Sequence, residues 1–71
     1  MNRLKEVRIQ KGFSQLDLAK ETNIAPSDIS RIENGWLKPY NGWRNRLAKA
    51  LNVPKEYLFP NDNNDLYQKG S

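Results

Sequence analysis

The side chains able to do chemistry in this chain are twelve lysines and arginines and eight aspartates and glutamates; histidine and cysteine are absent. Without them there is no imidazole base, no thiolate nucleophile, no disulfide and none of the usual zinc ligand sets. The acids are scattered, and no glycine-rich phosphate loop occurs. The inventory speaks against an enzyme and gives no reason to expect a metal, a cofactor or a small-molecule substrate. What remains is recognition by charge and hydrogen bonding, and the net charge of +4 is unevenly laid out. Residues 1–11 carry Arg3, Lys5, Arg8 and Lys11 against Glu6, a net of +3. Residues 36–51 carry Lys38, Arg44, Arg46 and Lys49 with no acid, whereas 14–34 come to −2 and 52–71 to −1. Positive charge flanking a central segment suits a protein whose flanks hold phosphates while its centre does the reading. A plainly solvated basic surface fits the same distribution, and charge alone does not separate the two.

The central segment, SQLDLAKETNIAPSDISRIENG (14–35), is patterned as two short helices about a tight turn. Ser14 is a good N-cap, with Asp17 three residues on, where an acid favours a helix start. Leu18 and Ala19 face inward, with Leu16 ambiguous. Asn23 is the natural stop, because asparagine tolerates the left-handed conformation, and Ile24 plugs the turn into the core. Pro26 opens the second helix at the position where a missing N–H costs nothing. Ile29 and Ile32 form its buried stripe, which turns Pro26, Ser27, Ser30, Arg31 and Asn34 outward, and Gly35 ends it. Two helices about a short turn in a small basic chain is the layout of a helix-turn-helix DNA reader.

The surrounding pattern is also helical. A first helix over about 2–11 has Asn2 as its cap, places Leu4, Val7 and Arg8 on one face, and ends at Gly12. Residues 36–42 (WLKPYNG) form a loop. A fourth helix over about 42–51 aligns Trp43, Leu47, Ala48 and Leu51 and is closed by Asn52. A short fifth starts at Val53-Pro54, runs through about Phe59 and stops at Pro60. Residues 61–71 form a polar tail, expected to fray. The expectation is one all-α domain over 1–60, a compact five-helix bundle, with little room for both a core and an enclosed active-site cavity. No apolar run approaches the ~20 residues of a membrane span, and the charged N-terminus is unlike a secretory signal. The chain is therefore expected in the cytoplasm, away from membranes.

Several motifs in order resemble the lambdoid phage repressor-like (Cro-type, also called XRE) family of helix-turn-helix domains: RIQKGFSQLDLA (8–19), NI (23–24), ISRIENG (29–35), KP (38–39), LAKALNV (47–53) and EYL (56–58). The resemblance covers residues 2–59. It implies a five-helix bundle of the lambda-repressor-like DNA-binding type, with its helix-turn-helix at 14–34 and helix 26–34 in the major groove. Pro26, Ser27 and Arg31 then fall at base-reading positions. An arginine fork suits guanine O6 and N7, a pairing worth ~1–3 kcal/mol of discrimination; the competing uses of Arg31 are a phosphate or Asp28. Ser14 and Gln15 match positions that grip backbone phosphate, as do Asn34, Lys38 and Tyr40 beyond the reading helix, and Arg44 is a further phosphate candidate. Arg8 and Glu33 match a family ion pair, in keeping with a charged group beside Leu4 and Val7 that needs a partner. Two stretches depart from the family. Trp36 and Leu37 stand where polar or basic residues are usual, leaving a DNA sugar, a partner subunit or Trp43 for them to pack on. Arg44 falls near a commonly apolar position.

The resemblance implies a sequence-specific double-stranded DNA-binding transcriptional regulator, a repressor, nucleoid-associated when bound. It would act as a homodimer on a two-fold operator with half-sites ~34 Å apart. Leu58 and Phe59 are the expected dimer interface, unless they close the monomer core. The alternative is a protein-binding helix-turn-helix module, an antitoxin or a partner of another regulator, using Trp36, Leu37 and Tyr40. A restriction–modification or mobile-element regulator is a narrower form of the first reading, and the sequence does not distinguish it.

Overall fold

The computed structural model describes residues 2–60; the tail expected over 61–71 lies outside them. Five helices follow in order, α1 (Leu4–Gln10), α2 (Gln15–Thr22), α3 (Pro26–Glu33), α4 (Asn41–Leu51) and α5 (Lys55–Leu58), with no strand among the described residues. α2 packs on both α3 and α4, α1 on α3, and α4 on α5.

Local chemistry sets most of the boundaries. The Ser14 hydroxyl accepts from the Asp17 N–H at 2.9 Å, and the Asp17 carboxylate accepts from the Ser14 N–H at 3.0 Å, a reciprocal capping box that starts α2. The Ser14 backbone N–H first, then its side chain, hold the Asp17 carboxyl below the usual carboxylate range. Asn23 ends α2 in the left-handed region at φ 60°, and Asn52 ends α4 likewise at φ 59°. Pro26 is the first residue of α3. Three boundaries differ from the sequence expectation by about a residue. Arg3, not Asn2, sits at the cap position of α1, yet the Asn2 Oδ1 accepts from the Leu4 N–H at 3.0 Å. α4 begins at Asn41, and Pro54 precedes α5 without joining it.

The core gathers Leu4 and Val7 from α1, Leu18 and Ala19 from α2, Ile24 from the turn, Ile29 and Ile32 from α3, Leu47, Ala48 and Leu51 from α4, and Leu58 and Phe59 at the end. Full burial of each large aliphatic is worth ~1.5–3 kcal/mol. Leu16 is exposed. Leu58 and Phe59 are only 0% and 4% exposed, so the expected dimer interface is corrected: both residues close the monomer core. Around them the Arg3 N–H donates to the Leu58 carbonyl at 2.9 Å, the Arg3 guanidinium lies 4.7 Å over the Tyr57 ring, and Arg3 Nη1 donates to the Tyr57 carbonyl at 2.8 Å. These contacts fasten the start of α1 to α5 and keep Leu58 and Phe59 inside.

Candidate nucleic-acid interface

α3 is an edge helix with two unlike faces. Ile29 and Ile32 are fully buried and fix its rotation on the core, while Pro26, Ser27 and Arg31 are exposed along the opposite side. The structure thus brings these three expected base-reading residues onto one open face. Arg31 Nη1 lies 3.3 Å from Asp28 Oδ1, with 59% of the Arg31 side chain exposed. Such a surface pair is worth ~0–1 kcal/mol, so the guanidinium can swing to another acceptor at little cost.

Behind that face, one carboxylate clasps three elements. Glu33, at the end of α3, accepts from Arg8 Nε at 2.6 Å and from Gln15 Nε2 at 3.0 Å, while Arg8 Nη1 donates to the Phe13 carbonyl at 2.8 Å. The Arg8 and Glu33 side chains are 10% and 3% exposed. α1, the start of α2 and the end of α3 are thereby held at fixed distances. Gln15, expected to reach phosphate, has its amide directed at Glu33 instead. That long-range bond was not legible in the sequence, where the resemblance marked Gln15 as a phosphate position at the start of α2. Ser14 is exposed, but its hydroxyl and N–H are both engaged in the capping box.

Beyond α3 the chain turns sharply. The Gly35 N–H donates to the Ile32 carbonyl at 3.1 Å and the Trp36 N–H to the Arg31 carbonyl at 2.8 Å, with Gly35 at φ 77°. Asn34 is exposed, its amide donating to the Ser30 carbonyl at 2.8 Å. Lys38 and Tyr40 are exposed, and the Tyr40 ring meets Trp43 edge-on at 5.6 Å. Trp36 is 78% exposed, whereas Leu37 packs against the core.

Arg44 requires a correction. It is buried, Nη1 donating to the Pro39 carbonyl at 2.6 Å and Nη2 to Asn41 Oδ1 at 3.3 Å. Its side chain fastens the loop to α4 and does not stand at the surface as a phosphate ligand. The place of Arg44 at a commonly apolar position was the signal for this, because an arginine stem fills apolar space while its head seeks acceptors. Arg46 and Lys55, singled out by neither motif nor resemblance, also reach across the fold, Arg46 Nη1 to the Thr22 carbonyl at 3.4 Å and Lys55 Nζ to Asn41 Oδ1 at 2.9 Å.

Among the described residues no group of three acidic or cysteine side chains could hold a metal ion, and no helix is long and apolar enough to cross a membrane. The chain matches the helix-turn-helix domain family over residues 1–63. It is also similar to the HTH-type transcriptional regulator ImmR of Bacillus subtilis (strain 168), with 32% identity over 60 residues, which make up 84% of this chain and 47% of that protein. The chain therefore spans about half the length of this relative.

Proposed function

We propose that this chain, which belongs to the helix-turn-helix domain family, is a sequence-specific double-stranded DNA-binding transcriptional regulator that represses by lodging α3 in the major groove. The observation that carries this reading is the two-faced α3: Ile29 and Ile32 lock it in the core, while Pro26, Ser27 and Arg31 stand exposed on one side. A base-reading helix needs both features, since an unanchored helix would lose register on the duplex. Arg31 reads guanine, Ser27 donates to or accepts from a neighbouring base, and Pro26 offers apolar contact to a thymine methyl. Lys38, Asn34 and Tyr40 hold phosphate on the far side of the helix, and Ser14 and Gln15 on the near side, Gln15 by releasing Glu33. The relative's name, a transcriptional regulator, supports the same role.

One short reading helix carrying a single arginine gives modest affinity, so the protein acts as a homodimer on a two-fold operator with half-sites ~34 Å apart. Its dimer surface lies outside Leu58 and Phe59, which the core occupies. It works in the cytoplasm, where the genome is. Titration of a selected duplex with wild-type protein and Arg31→Ala tests the reading: a loss confined to the selected sequence supports it, and equal binding by the two proteins opposes it.

The exposed Trp36 and Tyr40 favour a second reading, a protein-binding module. Under it, Trp36→Ala removes a protein partner and Arg31→Ala removes nothing.

A further inference from the structure

Three of the helix ends share one hydrogen-bonding pattern. After α1 the Gly12 N–H donates to Ile9 and the Phe13 N–H to Arg8; after α3 Gly35 donates to Ile32 and Trp36 to Arg31; after α4 Asn52 donates to Lys49 and Val53 to Ala48. In each, the middle residue is left-handed, at φ 81°, 77° and 59°. This is the Schellman turn, and the residue after the left-handed one ordinarily turns an apolar side chain back onto its own helix and the core beneath. Phe13 and Val53 do so and pack against the core. Trp36 holds the same position and carries the largest side chain of the three, yet it is 78% exposed.

The loop itself is not loose. Leu37 is packed on the core, Pro39 is buried, and Arg44 holds the Pro39 carbonyl at 2.6 Å. The indole is therefore presented outward from an anchored turn whose Trp36 N–H donates to the Arg31 carbonyl. Along the chain, residues 34–54 carry no acid, and of their four cations Lys38, Arg46 and Lys49 are exposed while Arg44 is buried. An apolar plate in such a stretch matches a polyanion with flat apolar faces better than a neutral or basic protein surface.

We propose that Trp36 is a DNA-contacting residue, its indole lying on a deoxyribose or base face at the rim of the groove that α3 enters, between the base read by Arg31 and the phosphate held by Lys38. The proposal rests on the DNA-binding reading above and assigns a nucleotide contact to a residue that the base- and phosphate-contacting set does not include. Base–aromatic stacking is tolerant of sequence. Trp36 therefore adds affinity beside the bases that specify, and because the contact is uncharged it leaves the salt dependence untouched.

The test uses the full chain and a duplex selected by the wild type. Trp36→Ala is expected to keep the wild-type melting temperature, weaken the duplex by roughly five- to 150-fold, and leave the slope of log affinity against log salt unchanged. Trp36→Phe recovers part of the affinity. In Trp43→Phe protein, where Trp36 is the only tryptophan, acrylamide quenches the fluorescence freely and saturating duplex shields it. Wild-type affinity in Trp36→Ala, or a Trp36 that stays equally quenchable on the duplex, overturns the proposal while leaving the DNA-binding reading intact. So does loss of self-association in Trp36→Ala with DNA binding unchanged, which would assign the indole to a second copy of the chain. Wild-type protein that binds no duplex overturns the underlying reading itself.

Discussion

Removing the Glu33 carboxylate should destabilise the domain strongly. In Glu33→Ala, Arg8 keeps its bond to the Phe13 carbonyl but loses the 2.6 Å partner of its Nε, and Gln15 loses its 3.0 Å acceptor. The Arg8 side chain is 10% exposed, so water does not readily replace what is lost. Breaking a buried pair from one side costs ~3–5 kcal/mol, against a total stability of ~0.05–0.15 kcal/mol per residue, or about 4–11 kcal/mol here. For a domain of this size, even ~3 kcal/mol lowers the melting temperature by about 12–24 °C. Asp28→Ala serves as the control: it breaks a pair whose arginine is 59% exposed, worth ~0–1 kcal/mol. The double variant Arg8→Met with Glu33→Leu replaces both charges by apolar groups, which is often near neutral. It leaves the Phe13 carbonyl short of a donor, a loss of ~1 kcal/mol, and should recover more than half of the loss. Thermal melts followed by circular dichroism at 222 nm measure these three variants and the singles Arg8→Met and Glu33→Leu. A shift under about 4 °C for Glu33→Ala, or a double variant that loses the sum of its singles, would refute the clasp as a determinant of stability.

Arg31→Ala should fold as the wild type and lose ~1–3 kcal/mol of binding on a selected duplex but not on a scrambled one; equal losses on both would make Arg31 a phosphate ligand. Lys38→Ala should reduce the salt slope of binding by about 0.9, whereas Arg44→Ala should leave that slope alone and lower the melting temperature instead, as titrations at several salt concentrations and a melt will show. The Asp17 carboxyl has a depressed pKa in the fold, so its contribution is fully present above the unfolded value of ~3.9 and lost as pH falls through the lower folded value. The melting-temperature gap between wild type and Asp17→Ala should accordingly hold from pH 7 to 5 and close well below pH 4; a gap that persists there contradicts the capping charge. Gly35→Ala places a Cβ in open space but at φ 77°, so the left-handed backbone alone sets a cost of ~1–2 kcal/mol. Gly35→Asn should cost less, because Asn23 and Asn52 already hold that conformation in this chain; equal melts for the two variants would argue against strain at this turn.

What the sequence disclosed was what local rules control. The Ser14–Asp17 box, the stop at Asn23, Pro26 at a helix start and the Ile29–Ile32 stripe each depend on residues at most three apart, and the helices form where those residues put them. Arg8 and Glu33, twenty-five residues apart, are brought together by the packing of α1 on α3, and it was the family pattern that brought the two into view. The resemblance said less about side chains that choose among distant acceptors. Gln15 turns to Glu33 instead of standing clear, and Arg44 turns inward because the Pro39 carbonyl waits there, which no spacing within α4 reveals. Leu58 and Phe59 sit in and just after a four-residue helix, too short for periodicity to tell a core face from an interface. Arg3 settles the matter by tying α1 to the Tyr57 and Leu58 carbonyls.

Selection from a random double-stranded DNA pool with the full chain at near-physiological salt, followed by sequencing of the bound fraction, tests the proposed function most directly. Enrichment of a two-fold motif with half-sites about one helical turn apart, and its loss with Arg31→Ala, is the expected result. A bound fraction with no common motif, whose binding vanishes as salt rises, would leave only the phosphate attraction of a basic surface and would contradict base reading by α3.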